Sequence, residues 1–516
     1  MMKKISALML TLLAVVISAS ANDGAGGIRL GYTILDEEGS QAVNQSTFNQ
    51  YEGLGLSLEK IWYRFDNGIR LNADLKNITL NNRHLGGGIS KAGLFGLQLS
   101  NHQYRRAYSF DGSSRTRRHF TDGSLWVYPF ATVKLFGGGS YTGLRGAISS
   151  LFNPDGFGSR TEQDYRQSTH HIGLRFNDRG KMFQAEYRGL KFDDRRDDSR
   201  DHDRYWVKLF GFTPLPQYEK VTLSGGYRHF ETKYSTSEFK ISANTVWGGG
   251  EYRLADPVKV SYNFIFDRAG SDSDFVATDN LAHTFYVSYN RQEKFGGTVG
   301  YQADVRDDFE DKVTGDSYYL SGWYKPDNHY DFRLEYGTRA ETMDNGSRLL
   351  GNEDRTRFKA SAAFRDSRYG SITTRFENRT RENLSLGSES DFNRISLSGT
   401  LIISSLGTIS GGYSYAKGDY QNSDYRFEFT DHTLHGDLSL NEFYRITSGA
   451  GVIYYRSKRD LDVEQVTVRL SFDYRFAESY HFKVDYNIHN FDDYLTADGY
   501  YTANVVEMNL VKDVSF

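Results

Sequence analysis

The chain has 516 residues, a formal net charge of -4 and no cysteine. Without cysteine it can carry no lipoprotein anchor, disulfide, thiolate metal site or covalently attached c-type haem, so any redox centre must belong to a partner. A net charge this small for the length predicts neither nucleic-acid binding nor a patch for anionic membrane surfaces.

The first residues have the pattern of a secretory signal peptide. Lys3 and Lys4 form a charged start, residues 5–17 are apolar, and the small residues 19–21 offer a cleavage site. The apolar run is shorter than the ~20 residues that a membrane-spanning helix needs, and no later stretch is long enough either. We expect a signal peptide at residues 1–21 and a mature chain at residues 22–516, folded as one domain.

The composition of the mature chain favours strands. Aromatic residues make up 15% of the chain, glycine occurs 51 times and proline only 6 times. Aromatic side chains favour strands, and proline removes a donor from the hydrogen-bond ladder. The mean hydropathy of -0.60 is compatible with a membrane barrel, because a barrel strand presents only every second residue to lipid.

Strand-length segments alternate apolar and polar residues along the chain. Over residues 466–476 one face is wholly apolar, while the other carries Thr467, Arg469, Ser471, Asp473 and Arg475. The same alternation recurs at residues 258–267, 332–336 and 482–489. A face that is charged at such regular intervals must meet water, and the apolar face must meet lipid or a core.

Short and long polar connections alternate between these segments. Short turns are predicted at residues 177–180, 255–257, 325–328, 365–369, 404–407 and 477–479; longer loops are predicted at residues 193–204, 269–280, 306–316, 341–354, 382–391, 417–424 and 456–462. This asymmetry is typical of outer-membrane barrels. We predict an all-β, antiparallel, up-and-down transmembrane β-barrel of about 26 strands, within a range of about 22 to 26.

Local irregularities are expected at two kinds of place. Within residues 99–134 the sequence predicts a turn at 100–103, a loop across 111–122 and a turn at 128–130. The glycine triplets at residues 86–88, 137–139 and 248–250 precede no helix with a phosphate-loop pattern, and we interpret them as bends or bulges in strands.

The last strand has an alternating row of Val506, Met508, Leu510 and Val514, interrupted by Lys512, and the chain ends at Phe516. A terminal aromatic residue resembles the C-terminal signal that the bacterial barrel-assembly machinery reads. The expected localisation is therefore the cell outer membrane, with lipid and lipopolysaccharide as surroundings.

The predicted width of the barrel is a clue to its function. A ring of ~26 tilted strands, ~4.8 Å apart, measures roughly 50 Å across at the backbone. Strand-like sequence begins at residues 27–35, which leaves no room for an N-terminal plug domain. The mature chain, with arginine- and tyrosine-rich strands such as residues 101–108, resembles in architecture the Mtr/Pio-type porins, although it lacks the N-terminal cysteine pair of some members. That resemblance implies a sheath that holds a periplasmic multihaem cytochrome across the membrane.

The sequence contains no pattern that identifies a catalytic, cofactor-binding or metal-binding residue. His170 with His171, and His432 with His435, would point to opposite faces of a strand and so chelate poorly. Aspartates over residues 193–203 could suit calcium, but four interleaved arginines favour a solvated loop of mixed charge. No serine hydrolase pattern is present. We therefore predict that the chain is not an enzyme.

The lumen face is where function is expected. Charges of both signs are predicted to face the lumen, where they would set its selectivity or merely hydrate the wall: Arg333, Glu335, Lys359, Arg365, Arg469, Asp473, Arg475, Lys483 and Asp485, with His489 also on this face. The chain is predicted to be an outer-membrane channel or conduit, as a porin sheath for a multihaem cytochrome in electron transfer. The alternatives are a general solute or ion porin and a surface-exposed structural or adhesive barrel.

Overall fold

The computed structural model describes residues 24–39, 50–107, 115–149, 160–215, 218–237, 239–272, 278–291, 294–308, 311–344, 352–403, 405–495 and 499–515. The predicted signal peptide and Phe516 lie outside these residues. One 3-10 helix, Asp198–Arg200, joins two strands. In the described part of the chain, no helix is long and apolar enough to cross a membrane.

Strands make up almost all of the described structure, and they form one 26-stranded antiparallel sheet. Their bounds are β1 Gly24–Gly39, β2 Gly53–Arg64, β3 Ile69–Lys76, β4 His84–Lys91, β5 Phe95–Ala107, β6 Arg115–Phe130, β7 Val133–Ser149, β8 Arg160–Asp178, β9 Lys181–Asp194, β10 His202–Leu215, β11 Tyr218–Tyr234, β12 Lys240–Ala255, β13 Val258–Ser271, β14 Thr278–Arg291, β15 Phe295–Asp308, β16 Lys312–Tyr324, β17 Tyr330–Met343, β18 Glu353–Asp366, β19 Gly370–Asn383, β20 Ser388–Ile403, β21 Gly407–Gln421, β22 Arg426–Phe443, β23 Ile446–Arg459, β24 Val463–Ala477, β25 Tyr480–Asp493 and β26 Tyr500–Ser515.

The sheet closes on itself, because each strand pairs with its neighbours in sequence and β1 also pairs with β26. In that last ladder Leu30 lies opposite Leu510 and Tyr32 opposite Met508. Closure removes both sheet edges, which a lipid environment cannot tolerate. The predicted fold class and the strand count of about 26 are confirmed.

The two rims of the barrel differ in their connections. The rim that holds both ends of the described chain has connections of two to five residues, and the opposite rim has connections of three to thirteen, as the strand bounds show. Short periplasmic turns and longer extracellular loops are the rule in bacterial outer-membrane barrels, so the first rim is periplasmic. Every described residue lies in a strand, in a connection between neighbouring strands or in the 3-10 helix. The described residues thus form no separate domain inside the lumen.

One face of the sheet carries an apolar band around the ring. Directly paired residues share a face, and the apolar row Leu470, Phe472 and Tyr474 of β24 continues through β25 and β26 into β1. Because a lumen this wide cannot be filled by its own side chains, the apolar face must point outward into lipid.

Two belts of aromatic side chains lie on the outward face. The belt near the periplasmic rim includes Phe176, Phe183, Tyr252, Tyr289, Phe295, Tyr324, Phe332, Phe364, Tyr474 and Phe482. The second belt is almost wholly tyrosine and lies about halfway up the strands: Tyr141, Tyr187, Tyr205, Tyr227, Tyr301, Tyr318, Tyr336, Tyr413, Tyr454 and Tyr486. Aromatic side chains flank the apolar band of outer-membrane barrels, and charged side chains follow on the outward face beyond the tyrosine belt, so the strands extend past this band.

Several predicted loops are therefore partly strand. Residues 417–424 were expected to form a loop, but β21 runs to Gln421 and β22 begins at Arg426. Lys417 and Asp419 point outward above the tyrosine belt, where charged side chains meet water rather than lipid. The predicted positions of the turns and loops agree with the structure in these regions, although the loops themselves are shorter than predicted.

The predictions for residues 99–134 are largely wrong. No turn occurs at residues 100–103, since β5 continues from Phe95 to Ala107, and β6 contains both Asp122 and residues 128–130. The turn lies at residues 131–132, and residues 111–114 lie outside the described part. The polar run at 100–103 is satisfied by the neighbouring strand, because the Asn101 amide donates to Thr121 Oγ1 at 2.7 Å.

The glycine triplets are not bulges. The pairing register continues without a shift through residues 86–88, 137–139 and 248–250. Their small size instead makes room for neighbours: a Cβ on Gly248 would lie 2.7 Å from the ring of Phe264, which is directly opposite. Aromatic rings that cover glycines in this way stabilise a glycine-rich strand.

Candidate functional site

The polar face of the closed sheet forms the wall of the lumen. The nine charged residues predicted to face the lumen all lie on this face, as does His489. Their position follows from the two-residue period of a strand, which sends every second side chain inward. The lumen wall is therefore lined with water-compatible, charged side chains.

Positive charge is concentrated on the lumen face of four neighbouring strands, β17 to β20. Ten cations lie there: Arg333, Arg339, Arg355, Arg357, Lys359, Arg365, Arg375, Arg379, Arg381 and Arg394. Five acids share the same surface: Asp331, Glu335, Glu341, Glu353 and Glu377. We call this surface the basic stripe.

Successive rungs of the ladder build the basic stripe. On one rung Arg355 lies between Arg339 and Arg381, and on the next Arg357 lies opposite Arg379. Like charges directly opposite each other on a sheet are destabilising. The fold therefore tolerates a concentration of positive charge that packing alone does not require.

Each of two carboxylates in the stripe is shared by three cations. Glu377 Oε1 lies 3.4 Å from Arg357, 3.7 Å from Lys359 and 3.2 Å from Arg379. Nearer the periplasmic rim, Asp331 lies within ion-pair distance of Lys325, Arg333 and Arg365, at 3.9, 2.9 and 3.8 Å. One negative charge cannot neutralise three positive ones, so both clusters remain positive.

Three cations of the stripe have no acidic partner in the described part of the chain. Among the described residues, no carboxylate lies within ion-pair distance of Arg355, Arg375 or Arg394; Arg394 donates to Ser414 Oγ at 3.1 Å. All three side chains are exposed. Arg375 and Arg394 also line a depression in the wall together with Arg333, Lys359 and Arg365.

The lumen face of β24 and β25 has a different charge pattern. There Lys483 pairs with Asp485 at 2.9 Å, Arg469 with Asp437 at 3.1 Å and Arg475 with Glu442 at 3.9 Å. Each cation has its own carboxylate, so this part of the wall is close to neutral. This part of the wall therefore serves as a control surface when the charge of the basic stripe is altered.

The extracellular end of the stripe is held by an ion-pair network that is shielded from solvent. Arg339 donates two hydrogen bonds to Asp304, at 2.6 and 2.7 Å, and one to Glu341 at 2.6 Å. Arg306 pairs with the other oxygen of Glu341 at 2.6 Å. The side chains of Asp304 and Glu341 are only 5% and 4% exposed. This network joins β15, β17 and the start of β18, where the Glu353 amide donates to Glu341 at 2.8 Å.

Comparison with known proteins supports the fold and nothing finer. No family model and no curated protein sequence matches the chain. Among solved structures, a variant of the ferric enterobactin receptor PfeA of Pseudomonas aeruginosa in complex with enterobactin aligns over 96% of this chain and 82% of its own, with 10% identity and a TM-score of 0.51. The siderophore receptor PirA of the same organism covers 96% and 81%, with 10% identity and a TM-score of 0.48.

The alignment with PfeA supports the large barrel fold, and this sheet has the outward apolar band and aromatic belts that the bacterial outer membrane requires. The chain is a large outer-membrane β-barrel. The resemblance to Mtr/Pio-type porins stays a prediction, since the solved structure that supports the fold is a ferric enterobactin receptor.

The histidines of the barrel lie as the strand period predicts. His171 and His435 face the lumen, while His170 and His432 face outward, so neither pair chelates across a strand. One lumen pair was not predicted: His84 and His102 lie opposite each other on β4 and β5, with their Nδ1 atoms 2.6 Å apart. Among the described residues, no cluster of three or more metal-ligating side chains occurs.

The aspartate-rich connection at residues 195–201 uses its carboxylates for its own structure. Asp197 caps the 3-10 helix by accepting from the Ser199 amide at 3.1 Å, and Asp201 accepts from the Asp194 amide at 2.6 Å. The hydrogen bonds from Ser199 lower the pKa of Asp197 below its usual value. Arg200 pairs with Asp194 at 3.0 Å. These contacts favour the predicted mixed-charge loop over a calcium site.

Four members of the basic stripe (Arg333, Glu335, Lys359 and Arg365) were predicted from the sequence to face the lumen, but their concentration in one stripe was not. A sequence signal for the stripe does exist within single strands. Residues 355, 357 and 359 are all basic, and so are residues 375, 379 and 381, which lie on one face because they are separated by even numbers of residues. What the sequence could not show is that these two rows are adjacent, in a register that places Arg355 opposite Arg381.

Proposed function

We propose that the barrel is a non-enzymatic conduit whose lumen holds a partner protein across the outer membrane, and that this partner is a periplasmic multihaem cytochrome. One observation carries the proposal: the sheet closes with 26 strands. A ring of this size is roughly 50 Å across at the backbone. Barrels of 16 to 18 strands already leave an aqueous channel, and 22-stranded transporters need a plug.

The chain's own connections are too short to close such a lumen. The longest, at residues 40–52, has thirteen residues. Fully extended, thirteen residues span at most about 45 Å, so a loop anchored at both ends reaches inward by about half that distance. An unoccupied lumen of this width would breach the barrier of the outer membrane, which favours a separate occupant.

A redox partner is supported by architecture and by composition. The chain has no cysteine, so it cannot attach c-type haem itself and any such haem must belong to a partner. The exposed charges of the lumen face suit contact with the hydrated surface of another protein. Each of these features is expected of a sheath for a multihaem cytochrome.

A solute porin is the second candidate, and the charged lumen wall is the observation that favours it. In an open pore these charges would set ion selectivity. The two functions differ in whether the lumen is occupied in the native membrane and whether purified protein conducts.

The test is to isolate the affinity-tagged barrel from native outer membranes in a mild detergent and to measure haem absorbance and bound protein. A stoichiometric haem protein that copurifies with the folded, heat-modifiable barrel is the expected result. The barrel stripped of this protein should then show a large, stable conductance in a planar bilayer. A barrel that copurifies with no protein and already conducts when isolated would contradict the sheath and establish the porin.

A further inference from the structure

We propose that the basic stripe on β17 to β20 is the docking surface for the lumen occupant, and that the occupant presents an acidic face to it. This inference rests on the proposed function, because it assigns a position and a charge to the partner. It starts from the charge balance of the stripe, ten cations against five acids.

The excess charge is available for a partner. Glu377 and Asp331 are each surrounded by three cations, and Arg355, Arg375 and Arg394 have no carboxylate within ion-pair distance among the described residues. An approaching carboxylate would therefore meet cations without displacing an existing ion pair. On β24 and β25, by contrast, each new pair would have to compete with one already formed.

The directly opposed arginines indicate that the stripe does more than hydrate the lumen wall. Arg355 faces Arg381 and Arg357 faces Arg379 across the β18–β19 ladder. Such pairs cost stability in the empty barrel, and negative charge placed between them removes the repulsion. Departures from local stability rules of this kind are expected at functional surfaces.

The dimensions of the stripe fit a protein surface better than a small ion. Arg355 and Arg365 are ten residues apart in β18, about 34 Å along the strand. Four strands span about 14 Å between the outer two. The resulting area, on the order of 500 Å², is more than half of what one partner contributes to a standard interface.

The binding that follows from this geometry is electrostatic and sensitive to salt. The stripe cations are largely exposed, with 53% for Arg357, 52% for Arg379 and 63% for Arg381. Individual exposed pairs contribute little, so affinity must come from many contacts at once. Screening at 0.15 M salt acts over about 8 Å, which should weaken the complex progressively as salt rises.

The test uses the full-length barrel in detergent and fluorescein-labelled poly-L-glutamate as the probe, with binding followed by anisotropy at low and high salt. The stripe variant carries Arg355→Gln, Arg375→Gln and Arg394→Gln, which removes three charges without breaking an ion pair. The control variant carries Arg469→Gln, Arg475→Gln and Lys483→Gln, which removes three charges from β24 and β25. Heat-modifiability on gels verifies that each variant is folded.

We expect the wild type and the control to bind the probe in a salt-dependent manner, and the stripe variant to bind at least tenfold more weakly. Equal binding by the two variants, or no binding by the wild type, would overturn the inference. So would a wild type that binds pyrophosphate but not poly-L-glutamate, since that indicates a small-anion site. A second stripe variant, Arg357→Gln with Arg379→Gln and Arg381→Gln, gives the same comparison if the first does not fold.

Failure of the docking surface and failure of the proposed function give different results. If native barrels contain no partner but the purified barrel binds the probe through the stripe, the sheath is wrong and the anionic docking surface stands. If a partner copurifies equally with the wild type and both variants, the sheath stands and the stripe is not its docking surface.

Discussion

At the scale of single residues, burial decides which charges stabilise the barrel and which remain available for binding. Arg339 and Arg333 both make bidentate hydrogen bonds to an aspartate, but the Arg339 side chain is 11% exposed and the Arg333 side chain 59%. An ion pair in solvent contributes little, while a buried carboxylate that loses its partner is strongly destabilising. Both aspartates are shielded, at 5% and 7% exposed, but the partner of Arg333 keeps two further cations within ion-pair distance, so the two arginines should differ in energetic weight despite similar geometry.

The substitution Arg339→Met is expected to lower the free energy of unfolding by about 3 to 5 kcal/mol, because it leaves the carboxylate of Asp304 buried without its cation and removes one of the two cations on Glu341. Urea titration of the barrel refolded into lipid vesicles, with heat-modifiability as readout, measures the loss. Arg333→Met is the comparison: the Asp331 side chain is also shielded, at 7% exposed, but it keeps Lys325 and Arg365 at 3.9 and 3.8 Å, so a smaller loss of about 1 to 2 kcal/mol is expected. Equal losses in both variants would show that the network at Arg339 is not an anchor of the wall.

At the scale of strands, glycine and aromatic residues are fitted to each other across neighbouring ladders. Gly96 of β5 lies opposite Trp126 of β6, and a Cβ at Gly96 would lie 2.1 Å from the indole ring. All three of the nearest atoms to that position belong to Trp126, so the ring itself fills the space. Lys134 lies over the same ring, 5.3 Å from its centroid. The glycine is therefore required by the packing of the tryptophan.

Gly96→Ala should destabilise the barrel by about 1 to 2 kcal/mol, because the added methyl group displaces the indole ring. Thermal unfolding and tryptophan fluorescence would report both effects. Gly436→Ala is the control, since its Cβ would meet Val452 at an ordinary 3.8 Å, and alanine should be neutral or slightly stabilising in that strand. In the double variant Gly96→Ala with Trp126→Ala, the penalty of the added methyl group should disappear; a penalty that persists would assign it to the backbone instead.

Elements of this fold could be predicted from sequence where one face is apolar and could not where both faces are polar. The strand at residues 466–476 was identified because its apolar residues, from Val466 to Phe476, alternate with polar residues, and lipid on one side enforces that period. Residues 100–103 are polar on both faces, and their partners, such as Thr121, are contributed by another strand. The basic stripe is another case: each arginine row was visible, but its juxtaposition depends on register between strands.

At the scale of the whole molecule, everything inferred about the lumen depends on closure of the ring at β1 and β26. This ladder joins residues almost 500 positions apart, with Leu30 opposite Leu510. An open sheet would expose backbone donors and acceptors to lipid at two edges, at a cost of several kcal/mol for each unpaired group. The width, the continuity of the aromatic belts and the need for an occupant all follow from this single seam.

Closure can be tested directly because the chain has no cysteine to interfere. In the double variant Leu30→Cys with Leu510→Cys, oxidation should form an intrachain disulfide in the folded outer-membrane protein, because Cβ atoms of directly opposed residues on antiparallel strands are ~4.5 to 5.5 Å apart, close to disulfide geometry. The cross-link would join the two ends of the barrel and shift its mobility on non-reducing gels after denaturation. Leu30→Cys with Val506→Cys places the second thiol four residues along β26, about 13 Å away, and should remain reduced. Equal cross-linking in both variants would mean that the seam slides in register, and none in either would mean that the ring is open there and that its bore cannot be inferred from the number of strands.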